Sequence, residues 1–234
     1  MIEISNLSKN FGALEAIKNL SVKIQQGSIT YLVGPNASGK TTLIKSILGL
    51  VKPSSGSITI NKERLNGNHE YRSKIGYMPQ VASFPDNLAV QEIFSMIKNL
   101  REGFVDYDEE LINLFKLEKE KNKRLKNLSG GTKQKVNAAI AFLFNPEILI
   151  LDEPTAGLDP VSSSILKDKI VSENKRGKTI IFTSHILSEL EELAKEVIFL
   201  LEGQIRFNGT IEELINSTSK HNLERAIASI MKGD

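Results

Sequence analysis

Short runs rich in β-branched residues alternate along the chain with longer stretches whose apolar residues recur every three or four positions. The short runs predict strands, and three of them are nearly unbroken, as expected for strands buried on both faces of a parallel sheet. The predicted strands are "ITYLV" (29–33), "EILIL" (147–151), "TIIFT" (179–183) and "EVIFLL" (196–201). The predicted helices are 40–49, 131–144, 161–176 and 187–195. Strands and helices in alternation predict an α/β layered fold.

The N-terminal part of the chain has a different pattern. "IEI" at 2–4, the alternating Leu20, Val22 and Ile24, and "SITI" at 57–60 predict half-exposed antiparallel strands. We therefore expect an N-terminal antiparallel β subdomain beside the parallel sheet.

The middle of the chain departs from the alternation in another way. Residues 86–127 lack strand signals and carry Lys, Glu, Leu and Ile at helical spacing, which predicts a helical subdomain inserted over 86–135 of a single domain, 1–234. The charged stretch "EKEKNKRLK" (118–126) favours a solvated helix end or loop. A nucleic-acid patch is the alternative interpretation, which the interleaved acids and the lack of aromatic residues disfavour. Near the end, the pattern predicts a hairpin, one helix at about 210–217 and a polar tail.

Composition and charge exclude several classes of protein. The chain has 234 residues, 40% hydrophobic and 25% charged, which is ordinary for a packed domain. Its formal net charge of +2 provides no global basic field for nucleic acid, and the absence of cysteine excludes disulfides and thiolate metal sites. We expect no signal peptide, and no apolar run approaches the roughly 20 residues of a membrane span. Any work at a membrane would therefore go through a partner.

The strongest chemical signal is "GPNASGKTT", which fits the phosphate-binding P-loop pattern between a predicted strand and a predicted helix. Its glycines let backbone N–H groups point inward, and the helix start adds positive potential. Lys40 can reach the β- and γ-phosphates, and the Thr41 hydroxyl can ligate Mg²⁺. The predicted nucleotide-binding residues here are Gly34, Pro35, Asn36, Ala37, Ser38, Gly39, Lys40, Thr41 and Thr42.

Polar residues follow three other predicted strands. Asp152 ends an apolar strand, as expected for a carboxylate beside a P-loop Mg²⁺, and Glu153 is placed to orient or deprotonate a water. Gln80 ends "IGYMPQ" and can ligate Mg²⁺ or its water, whereas His185 follows "TIIFTS" and can hydrogen-bond a phosphate. Taken alone, Gln80 and His185 are more simply read as structural residues.

A second candidate anion site lies at 128–135, "LSGGTKQK". Two glycines stand at a predicted helix start, and Ser129 occupies the N-cap position. There is no lysine in the P-loop position and no preceding strand, so the segment reads as half of a phosphate site.

In order, "NFG", "GPNASGKTT", "MPQ", "LSGGT", "LDEPTAGLD" and "TSH" resemble the motifs of the nucleotide-binding subunit of ATP-binding-cassette (ABC) transporters, over essentially the whole chain. The resemblance implies a P-loop NTPase core of ABC type, with ATP and Mg²⁺ as ligands and ATP hydrolysis coupled to transport. It implies that Phe11 stacks on adenine, that Gln80 touches Mg²⁺ with Thr41 and Asp152, and that His185 contacts the γ-phosphate. Glu153 resembles the catalytic glutamate of the family.

The resemblance also implies a partner. In ABC proteins two copies, or two homologous subunits, lie head to tail, and Ser129, Gly130 and Gly131 of one face the ATP held by the other. Asp159 resembles the aspartate of the loop across that dimer interface. A separate transmembrane permease, a cytoplasmic position on the inner face of the cell membrane, and no nucleic-acid partner complete the expectation.

Two residues depart from the usual ABC motifs. Thr132 stands where the signature commonly has Gln, at the edge of the half-site, and we expect little loss from it. Ala37 replaces a commoner glycine in the P-loop, which predicts a negative φ there, since alanine accepts that conformation.

The size of the chain fits a single-cassette transport subunit, and its details resemble the NosF-type ATPases of copper processing and nitrous-oxide-reductase maturation. The segment 81–94 is the predicted docking groove for the permease, with Phe84, Leu88 and Ile93 lining a cleft and Asp86 and Asn87 at its rim. Core packing of the same apolar residues is the alternative. Two other functions remain open: a soluble ABC ATPase that regulates or assembles a protein or nucleic-acid complex, and a module that binds ATP without hydrolysing it.

Overall fold

The computed structural model describes residues 1–101, 103–218, 220 and 222–232. The chain divides into two compact units: unit 1 comprises Met1–Arg72 and Thr179–Asp234, and unit 2 comprises Ser73–Lys178. The elements in chain order are β1 (Ile2–Phe11), β2 (Leu14–Ile24), β3 (Ile29–Val33), α1 (Lys40–Ile47), β4 (Ser55–Ile60), β5 (Glu63–Arg64), β6 (Ile75–Met78), α2 (Val90–Asn99), α3 (Glu110–Leu114), α4 (Gly130–Phe142), β7 (Ile148–Asp152), α5 (Pro160–Lys175), β8 (Thr179–Thr183), α6 (Leu187–Leu193), β9 (Glu196–Leu201), β10 (Gln204–Thr210), α7 (Ile211–Ser217) and α8 (Leu223–Lys232).

An antiparallel sheet in unit 1 has the strand order β2-β1-β4-β5. Ile2 of β1 pairs with Ile24 on one side and with Ile60 on the other. Ile2 and Ile4 are buried while Glu3 between them is partly exposed, so the strand alternates as a sheet with one covered face does. The expected antiparallel β subdomain is confirmed.

The other strands of unit 1 are β10, β9, β3 and β8, in that order. β3 runs parallel to β8 and β9, and β10 returns antiparallel along β9. Every residue of β3 and β8 is buried, which is why both read as apolar runs. Because parallel strands end at one edge, the loop after β3 and the loop after β8 leave this sheet on the same side.

Unit 1 also contains a helix where a polar tail was expected. Beyond α7, residues Leu223–Lys232 form α8, in which Leu223, Ala226 and Ile227 are buried. Their spacing of three and four positions is that of one helix face. The prediction of a polar tail is therefore wrong over this stretch, where six of the ten residues are apolar and recur at helical spacing.

Unit 2 is built on two parallel strands, β6 and β7, in a register that pairs Met78 with Leu151. α4 lies close against β6, since a Cβ added to Gly76 would stand 2.1 Å from the carbonyl oxygen of Ala141. A glycine is required at Gly76 for this approach, and the short strand can therefore lie directly under the helix.

The predicted helical range 86–135 contains α2, α3, two short 3₁₀ turns and the first turns of α4, with Glu102 outside the described residues. Its status as an inserted subdomain of one domain stays a prediction. A buried ion cluster joins this range to α5: Lys169 Nζ lies 2.6 Å from both Asp108 and Glu110 and 2.9 Å from Glu173.

None of the helices in the described part of the chain combines the length and the apolar character that crossing a bilayer requires.

Candidate functional site

The predicted P-loop leaves the carboxyl end of β3 and enters α1 in unit 1. Gly34 has φ 157°, and a Cβ there would stand 2.1 Å from the carbonyl oxygen of Leu200. Gly39 has φ 107°, and its added Cβ would stand 2.7 Å from the carbonyl oxygen of Ala16. Both glycines are thus fixed by a close backbone neighbour as well as by conformation. The loop passes directly over the strands beneath it.

Ala37 contradicts the expectation from sequence. Its φ is 62°, in the left-handed region, so the predicted negative φ is wrong. Curling the loop so that successive N–H groups face inward requires this conformation irrespective of the side chain, and alanine accepts it at a cost of about 1–2 kcal/mol. Because Ala37 is exposed, its methyl group meets no steric barrier beyond that local cost.

Lys40 and Thr41 open the helix that follows the loop. Lys40 Nζ donates to the carbonyl oxygens of Gly34 and Pro35, at 2.7 and 2.9 Å, so the ammonium lies over the loop itself. Thr41 is exposed in the first turn of α1, a turn that carries no acidic residue. The helix start therefore presents N–H groups, a hydroxyl and a cation to an anion.

Two further candidate residues lie in unit 1. Phe11 is exposed at the end of β1, with Lys9 Nζ 4.8 Å from the centre of its ring. His185 is exposed in the loop after β8. The residue before it is held on two sides, because Tyr31 donates its hydroxyl to the Ser184 carbonyl and Ser184 Oγ donates to buried Glu189 at 2.6 Å. The His185 loop thus rests on a fixed base.

Unit 2 carries Gln80, Asp152 and Glu153 at the carboxyl ends of its two parallel strands. The register that pairs Met78 with Leu151 brings the residues that follow β6 and β7 to one edge. Asp152 is buried, and Glu153 has φ 50°, which turns its side chain away from the strand's alternation. Burial, and next the charge of Asp152, raise the pKa of Tyr77 in the neighbouring strand. A charged carboxylate at this edge is thus felt across the strand pair.

The second candidate anion site begins α4 in unit 2, with Ser129 as its N-cap. The Ser129 hydroxyl accepts from the Thr132 N–H at 3.2 Å. Gly130 and Gly131 form the first turn, in which Gly130 is exposed and Gly131 is partly exposed, and a Cβ added to Gly130 would meet no atom within 4 Å. The predicted N-cap is confirmed, and the bare turn leaves backbone N–H groups accessible to a ligand.

Asp159 caps the next helix, α5. Its carboxylate accepts from the Ser162 N–H and hydroxyl, at 2.9 and 2.7 Å, and from Lys135 Nζ at 2.9 Å. The hydrogen bond from Lys135, followed by those from Ser162, holds the pKa of Asp159 well below its usual range. Asp159 therefore stays charged at any physiological pH.

Three residues of α4 that sequence reasoning did not single out hold these loops. Gln134 Nε2 donates to the carbonyl oxygens of Glu153 and Pro154, at 3.3 and 3.4 Å. Asn137 Nδ2 donates to the Pro79 carbonyl at 2.8 Å, beside Gln80, and Lys135 reaches Asp159. The sequence signal for this role was a pair of amide residues, Gln134 and Asn137, one helical turn apart and shortly after the glycine pair. Both are buried, and buried amides need hydrogen-bond partners.

The predicted docking groove at 81–94 is only partly on the surface. Ile93 is fully buried and belongs to the core of unit 2, so its assignment to a surface cleft is wrong. Phe84 and Leu88 are partly exposed, and Asp86 and Asn87 are exposed as predicted. The error arises because Ile93 lies on the inner face of α2, which the pattern of 81–94 alone does not reveal.

A comparison with protein families decides the membership of the chain. The model of the family described as ABC transporter matches residues 17–156, more than half of the chain. The chain belongs to the ABC transporter family.

Relatives of this ABC ATPase carry names of the same kind. It is 33% identical over 210 residues to an uncharacterized ABC transporter ATP-binding protein of Synechocystis, an alignment that covers 87% of this chain and 59% of that protein. It is 35% identical over 223 residues to the lantibiotic transport ATP-binding protein SrtF of Streptococcus pyogenes, covering 93% of this chain and 96% of SrtF. The chain is thus an ATP-binding subunit of ABC type.

Solved structures agree with the α/β fold. The structure of an ATP-binding subunit of an ABC transporter matches with a TM-score of 0.91 at 27% identity, over 99% of each chain. A dimeric post-hydrolysis state of the ATP-binding cassette MJ0796, bound to ADP and Pi, matches with a TM-score of 0.80 at 25% identity, over 90% of this chain and 98% of that one. The expected ABC-type fold is confirmed.

Proposed function

We propose that this ABC ATPase binds Mg²⁺–ATP, dimerises on it with a second copy or a homologous subunit, and drives a separate transmembrane permease by hydrolysis. The observation that carries the proposal is the start of α4. It is an exposed glycine turn capped by Ser129, built to receive an anion but without the lysine of the P-loop. A chain with one full phosphate site and one half-site suits a dimer in which each nucleotide contacts both partners.

Binding begins at the P-loop. Residues 34–42 surround the phosphates with N–H groups, Lys40 turns from the loop carbonyls to the β- and γ-phosphates, and exposed Phe11 stacks on adenine. Thr41, Gln80 and Asp152 would hold Mg²⁺. Their hydroxyl, amide and carboxylate groups offer only oxygen, which suits this hard cation, and the charge of Asp152 is felt by Tyr77.

Hydrolysis is assigned to Glu153 and His185. Glu153 takes a proton of the attacking water as the water oxygen bonds to the γ-phosphorus; the bond from that phosphorus to the β,γ-bridging oxygen breaks, and ADP leaves with the bridging oxygen. The left-handed backbone of Glu153 turns its carboxylate away from the strand. The His185 imidazole hydrogen-bonds a γ-phosphate oxygen. The bound Mg²⁺ supplies charge neutralisation of the phosphates during transfer.

The dimer supplies the remaining contacts. Ser129, Gly130 and Gly131 of one copy contact the γ-phosphate held by the other, and Asp159 lies at the same interface. A ligand that binds the closed dimer better than the open one shifts the population towards closure, and loss of the γ-phosphate reverses the shift. Dimeric cassettes among the structural relatives support this cycle.

We place the subunit at the inner face of the cell membrane, as a single domain with its helical subdomain inserted at 86–135. The name of SrtF as a transport ATP-binding protein supports a permease on a separate chain. The narrower NosF-type role stays a prediction. It is tested by deleting the gene and measuring copper loading of nitrous oxide reductase, which would be unchanged if the role is wrong.

Replacing Glu153 with Gln tests the proposed function. The change removes the general base but keeps the shape of the side chain and one of its two accepting oxygens. Turnover should therefore fall by roughly 10²–10⁴-fold, and light scattering should show a dimer that persists with ATP and is lost with ADP. Glu202→Gln, a change at an exposed residue with the same φ of 50°, is the matched control and should leave both unchanged. A Glu153→Gln protein that hydrolyses at the wild-type rate would remove the assigned base.

A further inference from the structure

Arg101 lies just beyond α2 in unit 2, against the ring of Phe144. Its guanidinium carbon is 4.1 Å from the ring centre, a stacked cation–π geometry. Together with Tyr77, Phe144 and Pro146 it lines a cavity of about 170 Å³. This volume is several times the roughly 30 Å³ that one water takes in the liquid, so a short side chain fits.

Arg101 forms no ion pair with any carboxylate among the described residues. Burial is the cause that lowers its pKa, yet a guanidinium keeps its charge at neutral pH. A cation withdrawn from water without a counter-charge carries an uncompensated cost. Neighbouring Lys98 differs, because it also lies over an aromatic ring, that of Tyr107, but is paired with Glu109.

The ring on which the guanidinium stacks belongs to a cluster of three rings. Phe144 lies 5.3 Å from Phe104 and 5.8 Å from Tyr107, and the last two are 5.4 Å apart, centre to centre. Edge and tilted contacts of this kind hold ring orientations. The stacked cation is therefore preorganised, and little side-chain freedom is left to lose when a ligand binds.

Three apolar side chains close to Arg101 in sequence are exposed. Leu100 is 74% exposed, Val105 is 87% exposed and Met96 is 37% exposed. Scattered exposed apolar residues are normal, but these three lie within ten positions of the chain, on both sides of the stacked arginine.

We propose that Arg101 receives a Glu or Asp side chain carried by an apolar segment of the membrane permease. The carboxylate enters the cavity beside Phe144 and pairs with the guanidinium, and the apolar residues of the same segment cover Leu100 and Val105. This identification of the partner's chemistry rests on the proposed function, whereas the presence of a carboxylate site can be tested on the isolated chain.

The test is a titration of the isolated protein with butyrate, a carboxylate on a short apolar chain, followed by NMR shifts of the Gly76 and Ala141 amides that border the cavity. Saturable binding in the millimolar range is expected for so few atoms. Butyramide, the uncharged equivalent, should bind at least tenfold more weakly. Arg101→Gln should abolish saturation, and Lys98→Gln, the matched change of a paired cation, should preserve it.

Three outcomes would overturn the proposal: equal binding of butyramide, unchanged butyrate binding by Arg101→Gln in a protein with a wild-type melting temperature, or tighter binding of butyl phosphate than of butyrate, which would point to a phosphate ligand. Basal ATP turnover of Arg101→Gln should equal that of the wild type. Because no permease is present in this experiment, its failure leaves the ATP-driven dimer untouched. Failure of the Glu153→Gln test would in turn leave the carboxylate site standing.

Discussion

At the scale of single residues, the site depends on backbone positions that most side chains avoid. Ala37 and Glu153 both have positive φ, and Gly34 and Gly39 add close backbone contacts. Such conformations persist only where the surrounding structure fixes them, and they cluster at functional loops. The P-loop motif predicted the special backbone at the two glycines. It did not predict the left-handed conformation of Ala37, because alanine has no preference for that conformation.

Gly131 and Gly130 permit a matched test of this backbone packing. A Cβ on Gly131 would stand 2.8 Å from the carbonyl oxygen of Gly157, whereas a Cβ on Gly130 meets nothing within 4 Å. Gly131→Ala should therefore lower the free energy of unfolding by about 1–3 kcal/mol, and Gly130→Ala should change it by less than about 0.5 kcal/mol. Urea denaturation followed by circular dichroism measures both. Equal stabilities would mean that the loop of Gly157 yields without cost.

At the scale of elements, a buried ammonium joins α3 and α5 inside unit 2. The Lys169 side chain is 1% exposed and that of Glu173 is 0% exposed, and Lys178 and Arg176 also contact Glu173. Burial alone would lower the pKa of Lys169, but hydrogen bonds to Asp108, Glu110 and Glu173 outweigh it, so the pKa is raised. Burial likewise opposes the charge of Glu173, and hydrogen bonds from Lys178 and Lys169 prevail and lower its pKa.

Lys169→Met should destabilise the fold by about 3–5 kcal/mol, because it removes the buried cation that Asp108, Glu110 and the buried Glu173 share. The raised pKa of Lys169 contributes stability that is fully present below the ordinary value of 10.5 and is lost as the pH rises above it. The lowered pKa of Glu173 contributes stability that is present above 4.5 and is lost as the pH falls below it. The difference in the free energy of unfolding between the wild type and Lys169→Met should therefore be largest between these two pH values. It should narrow below pH 4.5, where the carboxylates become protonated.

Urea unfolding across that pH range measures the effect. Lys175→Met, an exposed lysine on the same helix, is the control and should stay within about 0.5 kcal/mol of the wild type. A pH-independent loss in Lys169→Met would show that packing of the side chain, and not its charge, sustains the link between α3 and α5.

At the scale of the whole molecule, sequence patterns predicted the strands and helices that have a regular apolar period. They did not predict the surroundings of side chains that depend on contacts with distant parts of the chain. Buried strands such as β3 and β8 are unbroken apolar runs, so their existence and the α/β class followed directly. Whether Ile93 faces the core, or Arg101 meets a carboxylate, depends on elements distant in sequence, and no local pattern records it. The error at α8 is of another kind, because Leu223, Ala226, Ile227 and Ile230 recur at helical spacing and the sequence therefore did carry a helix signal.

A second copy of the chain, or a homologous subunit, is the partner that we propose for the half-site, and Ser129→Arg tests the case of a second copy. The larger side chain should block approach of the other copy's nucleotide, so an ATP-dependent dimer should be lost while fluorescent-nucleotide affinity of the monomer is kept. Ser129→Ala separates bulk from the loss of the hydroxyl, since it removes the cap, at about 0.5–2 kcal/mol, and one proposed phosphate contact but adds no volume. It should still dimerise, through Gly130 and Gly131. Analytical ultracentrifugation gives the answer, and a Ser129→Arg dimer equal to that of the wild type would exclude the trans contact.

The contacts of α4 with the loops after β6 and β7 limit how these loops can move within unit 2. Gln134 donates to the main-chain carbonyls of Glu153 and Pro154, and Asn137 donates to that of Pro79. Gly131 packs so closely against Gly157 that a Cβ would not fit. Any displacement of the segment that precedes Gln80 must either carry this helix along or sever a shielded amide contact. The loop after β6 and the loop after β7 are therefore linked through a single helix, and a shift of either loop acts directly on the helix that holds the other.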